Sequence, residues 1–145
     1  MPINDHPAPG TILVCDFDGT FKEPEMVKPR CVVVLSPRIK DRAKLCTVVC
    51  LSSTAPEKEQ QYHCQLDIRP KLPLPWTSDG IWVKGDMVYS IGFHRLNLIR
   101  LGKNRDGTRI YRMDTLTEDQ LIQVKCCVLR GLGLSTLTKH LKKDT

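Results

Sequence analysis

The sequence predicts a mainly β protein, a β-barrel followed by one C-terminal α-helix. Short apolar runs rich in β-branched residues recur through the first two thirds of the chain, a pattern that favours strands. Ten prolines fall mostly between these runs. Because proline breaks helices, these connections do not favour the crossover helices that a parallel sheet requires. Because 145 residues fit one unit, we expect a single domain over residues 1–145, with its core at about 8–131.

The strands are predicted in chain order from their composition. Residues 31–36 and 45–51 are continuous apolar runs, typical of strands buried on both faces. Residues 64–68 alternate, which indicates a half-exposed strand. The other predicted strands are residues 11–15, 80–83, 87–91 (where a short helix is also possible), and a hairpin of 97–101 with 109–111 around a turn at 103–107.

One helix is predicted near the C-terminus. Thr117 and Gln120 have the spacing of a capping box, and Leu121, Val124 and Val128 follow at the spacing of one helix face. Gly131 is placed to end this helix. Residues 132–145 form a basic tail.

Composition limits the class of protein. The net charge of +6 favours an anionic partner, either nucleic acid or an acidic protein segment. The seven cysteines lie largely in apolar runs and lack a zinc-ligand spacing, which indicates buried thiols without a metal or cofactor. No apolar run approaches the roughly 18 residues that cross a bilayer, and residues 1–10 lack a signal-peptide pattern. We therefore expect a cytoplasmic protein with no membrane partner.

The most conspicuous string is Asp16-Phe17-Asp18-Gly19-Thr20 after the first strand. It is similar to the first motif of haloacid-dehalogenase-like phosphatases, in which Asp16 would attack phosphorus, Asp18 would act as acid and base, and Mg²⁺ would be required. Only residues 21–30 separate it from the next strand, too few for the crossover helix of that fold. We therefore favour a turn in which the carboxylates accept backbone N–H groups, and keep a Mg²⁺-dependent phosphatase as the lesser alternative.

A second pattern is distributed along the chain. The segments that carry it are residues 9–14 (PGTILV), 28–37 (KPRCVVVLSP), 46–54 (CTVVCLSST), 62–66 (YHCQL), 86–93 (DMVYSIGF) with Arg95, and 117–122 (TEDQLI). In order and spacing they resemble the PemK/MazF family of bacterial toxins. The resemblance implies an SH3-like barrel of the PemK/MazF/CcdB type, in the bacterial cytoplasm. It also implies a homodimer that cleaves single-stranded mRNA as a toxin of a type II toxin–antitoxin system, held in check by a cognate acidic antitoxin.

The same resemblance implies the site. Arg30 and Ser52 would be catalytic, with Ser53 or His63 as further catalytic or RNA-binding groups, and Phe21, Lys22, Lys28 and Arg95 would bind RNA. RNA supplies its own nucleophile, the neighbouring 2′-OH, so a permanently charged arginine that stabilises phosphate oxygens suits the reaction without a metal.

Several interpretations stay open at this point. Arg30 can be an ordinary surface arginine, His63 a structural histidine, and Phe21 with Lys22 a solvated loop with one anchoring aromatic. Cys31 and Cys50 stand where the family commonly has proline, and Ser52 where it has threonine, so Ser52 and Ser53 compete as the working hydroxyl. A barrel of the same fold that binds nucleic acid or gyrase without catalysis is the alternative function.

Overall fold

The computed structural model describes residues 2–19, 21–77 and 80–141. Eight strands precede one α-helix, which confirms the predicted mainly β class with a C-terminal helix. The strands are β1 (Ile12–Cys15), β2 (Arg30–Val34), β3 (Leu45–Ser52), β4 (His63–Leu66), β5 (Ile81–Gly92), β6 (Leu96–Asn97), β7 (Arg100–Lys103) and β8 (Arg109–Tyr111). The helix is α1 (Glu118–Gly131), and short 3-10 turns occupy Phe93–Arg95 and Ser135–His140.

The strands form one six-stranded sheet, in the order β4-β5-β3-β2-β1-β6, and a separate β7-β8 hairpin. Every pairing in the sheet is antiparallel. Among the described residues β4 and β6 are edges, so hydrogen bonds do not close the sheet into a full barrel. The antiparallel pairing of β2 with β3 brings the end of β3 and the start of β2 together, which is what positions the site.

Both faces of the sheet are buried, as the continuous apolar runs predict. Alternate side chains of β2 point to opposite cores: Val33 packs with Val124 and Cys127 of α1 on one face, whereas Val32 packs with Phe17 and other buried residues on the second face. The seven cysteines are free thiols, five of them buried. No helix within the described ranges is long and apolar enough to span a bilayer.

The segments predicted as 80–83 and 87–91 are one continuous strand, β5. Gly85, which looks like a break in the sequence, lies where α1 crosses the strand: a Cβ there would stand 2.5 Å from the carbonyl oxygen of Cys127. Glycine in a strand often marks such a close approach and not an end.

The predicted end of α1 at Gly131 is confirmed, because Gly131 is the last residue of the helix. A Cβ on Gly131 would stand 2.9 Å from the carbonyl oxygen of Gly85, so α1 and β5 approach closely here. The left-handed residue after the helix is Gly133, with φ +76°, because that conformation costs glycine least. Asn97 pairs with Val14 in the main sheet, so the hairpin starts at Arg100 instead of Asn97. The predicted capping box of Thr117 and Gln120 is confirmed in both directions.

Candidate active site

Arg30 and Ser52 lie at the same end of two neighbouring strands. Strand β2 begins at Arg30 and the antiparallel β3 ends at Ser52, and Val32 faces Cys50 in the register between them. Residues two apart along a strand share a face. Continuing the register by two residues therefore places Arg30 opposite Ser52, where Cβ atoms of facing residues stand about 4.5–5.5 Å apart.

Both residues line one cavity of about 180 Å³. Arg30, Ser52 and Ser53 contribute its polar groups. The remaining walls are formed by Cys31, Leu51, Leu72, Pro75, Trp76 and Ile81. The cavity thus has an arginine and hydroxyls at the strand ends and an apolar, aromatic wall.

Arg30 has an unsatisfied donor. Its Nε is buried and has no hydrogen-bond partner, and no carboxylate among the described residues forms an ion pair with it. Burial raises the pKa of the neighbouring Cys50 thiol to about 12, although the positive charge of Arg30 acts to lower it. An unpaired guanidinium next to a cavity is suited to an anion, since buried donors are rarely left without a partner.

The Ser52 hydroxyl is held by the turn after β3. It donates to the carbonyl oxygen of Thr54 and accepts from the Thr54 N–H, each at 3.1 Å. The residue is only 8% exposed, whereas Ser53 is exposed and follows the strand. Ser52 is therefore the hydroxyl whose strand position shares the Arg30 face, and it must rotate to donate elsewhere.

A groove next to the cavity also opens at Arg30. It encloses about 640 Å³, and its positive residues are Lys28, Arg30 and Lys84. Two carboxylates, Glu23 and Glu25, also line it. Arg30 lines both spaces, so the groove and the cavity meet at its side chain.

His63 lies on β4 and does not line the cavity. Lys84 of β5 pairs with His63 on one side and with Cys50 on the other, so one strand separates the imidazole from β3. The Nδ1 atom of His63 accepts the Gln60 N–H at 3.0 Å, and its ring meets that of Tyr62 at 4.6 Å between centroids. These contacts give His63 a structural task in the fold.

Comparison with known proteins shows the family of this chain. The family model for PemK-like, MazF-like toxins of type II toxin–antitoxin systems matches residues 8–130. The chain belongs to the PemK/MazF-like toxin family. It is 33% identical to the uncharacterized protein YifN of Escherichia coli (strain K12), over 94% of this chain and 99% of that protein.

Two solved structures share the fold of this PemK/MazF-like toxin. MazF from Deinococcus radiodurans superposes with a TM-score of 0.60 at 18% identity, covering 90% of this chain and 99% of that chain. An endoribonuclease in complex with its cognate antitoxin, from Mycobacterial species, gives a TM-score of 0.58 at 16% identity, covering 89% and 97%. These matches confirm the predicted fold class.

The β1–β2 loop of the toxin is held by Arg95. Its Nη1 donates to the carbonyl oxygens of Asp16 and Asp18 at 3.0 and 2.9 Å, and its guanidinium lies 5.0 Å from the centre of the Phe21 ring. Phe21 in turn packs edge-on against Phe17 and Tyr89. Phe21 and Arg95 thus anchor the loop, and neither they nor the exposed Lys22 line the cavity or the groove. Their predicted RNA contacts stay predictions.

The Asp16–Gly19 segment forms the predicted turn: the Asp16 carboxylate accepts the Asp18 N–H at 2.9 Å. Thr20 lies outside the described residues. The antiparallel pairing of β1 with β2 and β6 is incompatible with the parallel sheet of a haloacid-dehalogenase-like phosphatase, so that alternative is wrong. Within the described ranges, no three His, Cys, Asp or Glu side chains stand close enough to hold a metal ion.

Three site features have no counterpart in the sequence prediction. Lys84 is the first of these features. It lies on the same face of β5 as Trp82, which pairs with Ser52, and this placement can be read from the alternation of β5 only when the register with β3 is known. Trp76 forms part of the cavity wall. The third is the buried Arg112, whose Nη1 donates to the carbonyl oxygen of Pro70 in the loop that carries Trp76.

Proposed function

We propose that this toxin is a metal-independent endoribonuclease that cleaves single-stranded RNA beside Arg30. The observation that carries the proposal is the partly buried Arg30 guanidinium, with its unpartnered Nε, in the same cavity as a strand-end hydroxyl. The fold likeness to an endoribonuclease and to MazF supports the same chemistry.

The RNA supplies the nucleophile. The 2′-oxygen attacks the adjacent phosphorus and loses its proton, the bond to the 5′-oxygen breaks, and that oxygen gains a proton. The products are a 2′,3′-cyclic phosphate end and a 5′-hydroxyl end. Negative charge rises on the non-bridging oxygens during this step, and Arg30 is placed to stabilise it with a charge that does not depend on pH in the physiological range.

Ser52 would supply a second donor to the same oxygens. The Ser52 hydroxyl donates to the Thr54 carbonyl oxygen, so a rotation about χ1 would exchange that hydrogen bond for one to phosphate. Serine allows this rotation more easily than threonine, whose extra methyl group restricts χ1. The groove with Lys28 and Lys84 would hold the neighbouring phosphates.

The test is cleavage of labelled single-stranded RNA in EDTA, with analysis of the product ends. Arg30→Met should lower kcat about 100–1,000-fold, the effect of losing one preorganised donor to a developing oxyanion. Arg38→Met is the matched control, since Arg38 is an exposed arginine beyond the other end of β2. Full activity of Arg30→Met would exclude the proposed site.

Ser52→Ala and Ser53→Ala form a second matched pair. We expect the loss to fall on Ser52→Ala, because only Ser52 continues the strand register opposite Arg30. Binding of RNA without any cut strand would instead favour the non-catalytic alternative, a barrel that grips nucleic acid or gyrase.

The proposed partners follow from charge and from the fold likeness. The net charge of +6 and the cationic groove suit an acidic antitoxin segment that covers the site, and the similar mycobacterial endoribonuclease is in complex with its cognate antitoxin. We also propose a homodimer in the bacterial cytoplasm. Sedimentation of the purified chain alone, and after mixing with the product of an adjacent small acidic reading frame, tests both assemblies.

A further inference from the structure

Arg112 is a buried arginine without a counter-charge. It follows β8 and is 2% exposed. Its Nη1 donates to the carbonyl oxygen of Pro70 at 2.7 Å, its Nε is buried without a partner, and no carboxylate of the described residues pairs with it. A buried unpaired charge is costly, and an apolar side chain of the same volume would avoid the cost.

The contacts of Arg112 connect it to the wall of the active-site cavity. Pro70 lies two residues before Leu72, and Leu72, Pro75 and Trp76 form the wall that faces Arg30 and Ser52. The charge of Arg112 also acts on the thiol of Cys31, another lining residue. The guanidinium is therefore bonded to the loop that carries this wall, through the carbonyl oxygen of Pro70.

In the described part of the loop that carries the wall, Leu72 is anchored in the core. The backbone bonds of Trp76 and Thr77 run to Pro73, inside the loop, and Leu74 and Pro75 are exposed. The Arg112–Pro70 hydrogen bond joins this segment to the β7–β8 hairpin, whose residue 112 is itself fixed by its N–H to the Ile99 carbonyl at 2.8 Å.

We propose that Arg112 is a positioning residue of the ribonuclease site, which holds the Leu72–Trp76 wall against the cavity through the Pro70 carbonyl. This inference rests on the proposed function. The aromatic and apolar wall is the kind of surface on which an unstacked RNA base packs, so its position sets how the nucleotide beside the scissile phosphate is held. Arg112 acts through the wall and does not touch the reacting atoms.

The test compares Arg112→Met with Arg109→Met, an exposed arginine of the same hairpin. For cleavage of one RNA, Arg112→Met should lower kcat/KM on the order of 100-fold, the cost of a misplaced substrate. Arg109→Met should leave it unchanged. Arg112→Lys should recover part of the loss, because an ammonium group still donates to a carbonyl. A lysine variant no better than methionine would contradict the hydrogen-bond mechanism.

A double-mutant cycle separates positioning from general destabilisation. Trp76→Ala removes the wall itself, so adding Arg112→Met to it should cost less than a further threefold. If the two losses multiply, Arg112 does not act through the wall and the proposal fails. Should Arg112→Met fail to fold, the same cycle is run with Arg112→Lys.

The fluorescence of Trp76 reports the position of the wall in the absence of RNA. In a Trp82→Phe background Trp76 is the only tryptophan, and acrylamide quenching should increase in Arg112→Met while the circular dichroism stays that of the parent. Unchanged quenching together with unchanged cleavage overturns this inference alone. Absence of cleavage by the unaltered protein overturns the proposed function instead, and the two failures are thereby distinguished.

Discussion

Replacing Lys84 with methionine removes one of the three cations that line the groove beside the cavity. If Lys28, Arg30 and Lys84 each neutralise one phosphate of a single strand, the logarithm of the RNA affinity should fall with the logarithm of salt concentration with a slope of roughly −2.1, about −0.7 per contact. Loss of Lys84 should reduce the slope to roughly −1.4. Between 50 and 200 mM salt the affinity would then drop about 7-fold instead of about 18-fold.

The assay is fluorescence anisotropy with a 2′-O-methyl oligoribonucleotide, which lacks the attacking hydroxyl and therefore reports binding alone. Lys40→Met is the matched control. Lys40 is an exposed lysine in the loop between β2 and β3, at the opposite end of those strands from Arg30, and its loss should leave the slope unchanged. An unchanged slope in Lys84→Met, or an equal reduction in Lys40→Met, would refute the assignment of the groove.

Three further outcomes are expected. Gly85→Ala should lower the free energy of unfolding by about 3 kcal/mol in urea titration, because the alanine Cβ would meet the carbonyl oxygens of Cys127 and Tyr62 at 2.5 and 2.6 Å. A loss below about 0.5 kcal/mol would contradict this packing. Asp16→Asn should leave RNA cleavage intact, since an amide oxygen can still accept the Asp18 N–H; Mg²⁺-dependent phosphate release that disappears in this variant would count against the turn assignment. Burial raises the pKa of the Cys31 thiol from 9.0 to about 12, so the unfolded chain releases this proton first. The free energy of unfolding should therefore hold below about pH 9 and fall between pH 9 and 12. The fall should be less steep in Cys31→Ala, and an identical pH slope in that variant would show that this thiol does not contribute.

The sequence predicts the central strands well because their burial is itself a sequence pattern. Residues 31–36 and 45–51 have no polar alternation, and both strands are covered on both faces. The capping box at Thr117 is predicted equally well, since its partners are three residues apart. Local rules suffice for these elements.

Glycine can permit a close approach that the sequence does not reveal. Separate strands are predicted on either side of Gly85, yet β5 continues through it, and Gly85 meets Gly131 where α1 packs on β5. A glycine that permits a close approach between distant elements is identical in sequence to one that permits a turn. Only the tertiary contact distinguishes them.

The candidate site could be predicted in part. Arg30 and Ser52 stand at strand ends that the sequence locates, and the resemblance to PemK/MazF toxins singles them out. Trp76 and Arg112 could not be placed beside it, because their contacts depend on the proline-rich loop between β4 and β5. No periodicity marks residues 67–77, and nothing local indicates that a residue after β8 donates to Pro70.

Net charge alone does not locate the anion site. The loop between β2 and β3 carries Arg38, Lys40, Arg42 and Lys44, more cations than the groove at the other end of the same strands. These four are exposed or, for Arg42, bound to hydroxyls of Thr47 and Ser90 at 3.0 and 3.2 Å, so water or neighbouring oxygens already solvate them. Arg30 and Arg112 instead keep a buried Nε without any partner. An anion gains most where it replaces a missing partner, because a solvated cation must first give up its water, and this difference favours the Arg30 end of the sheet for the proposed site.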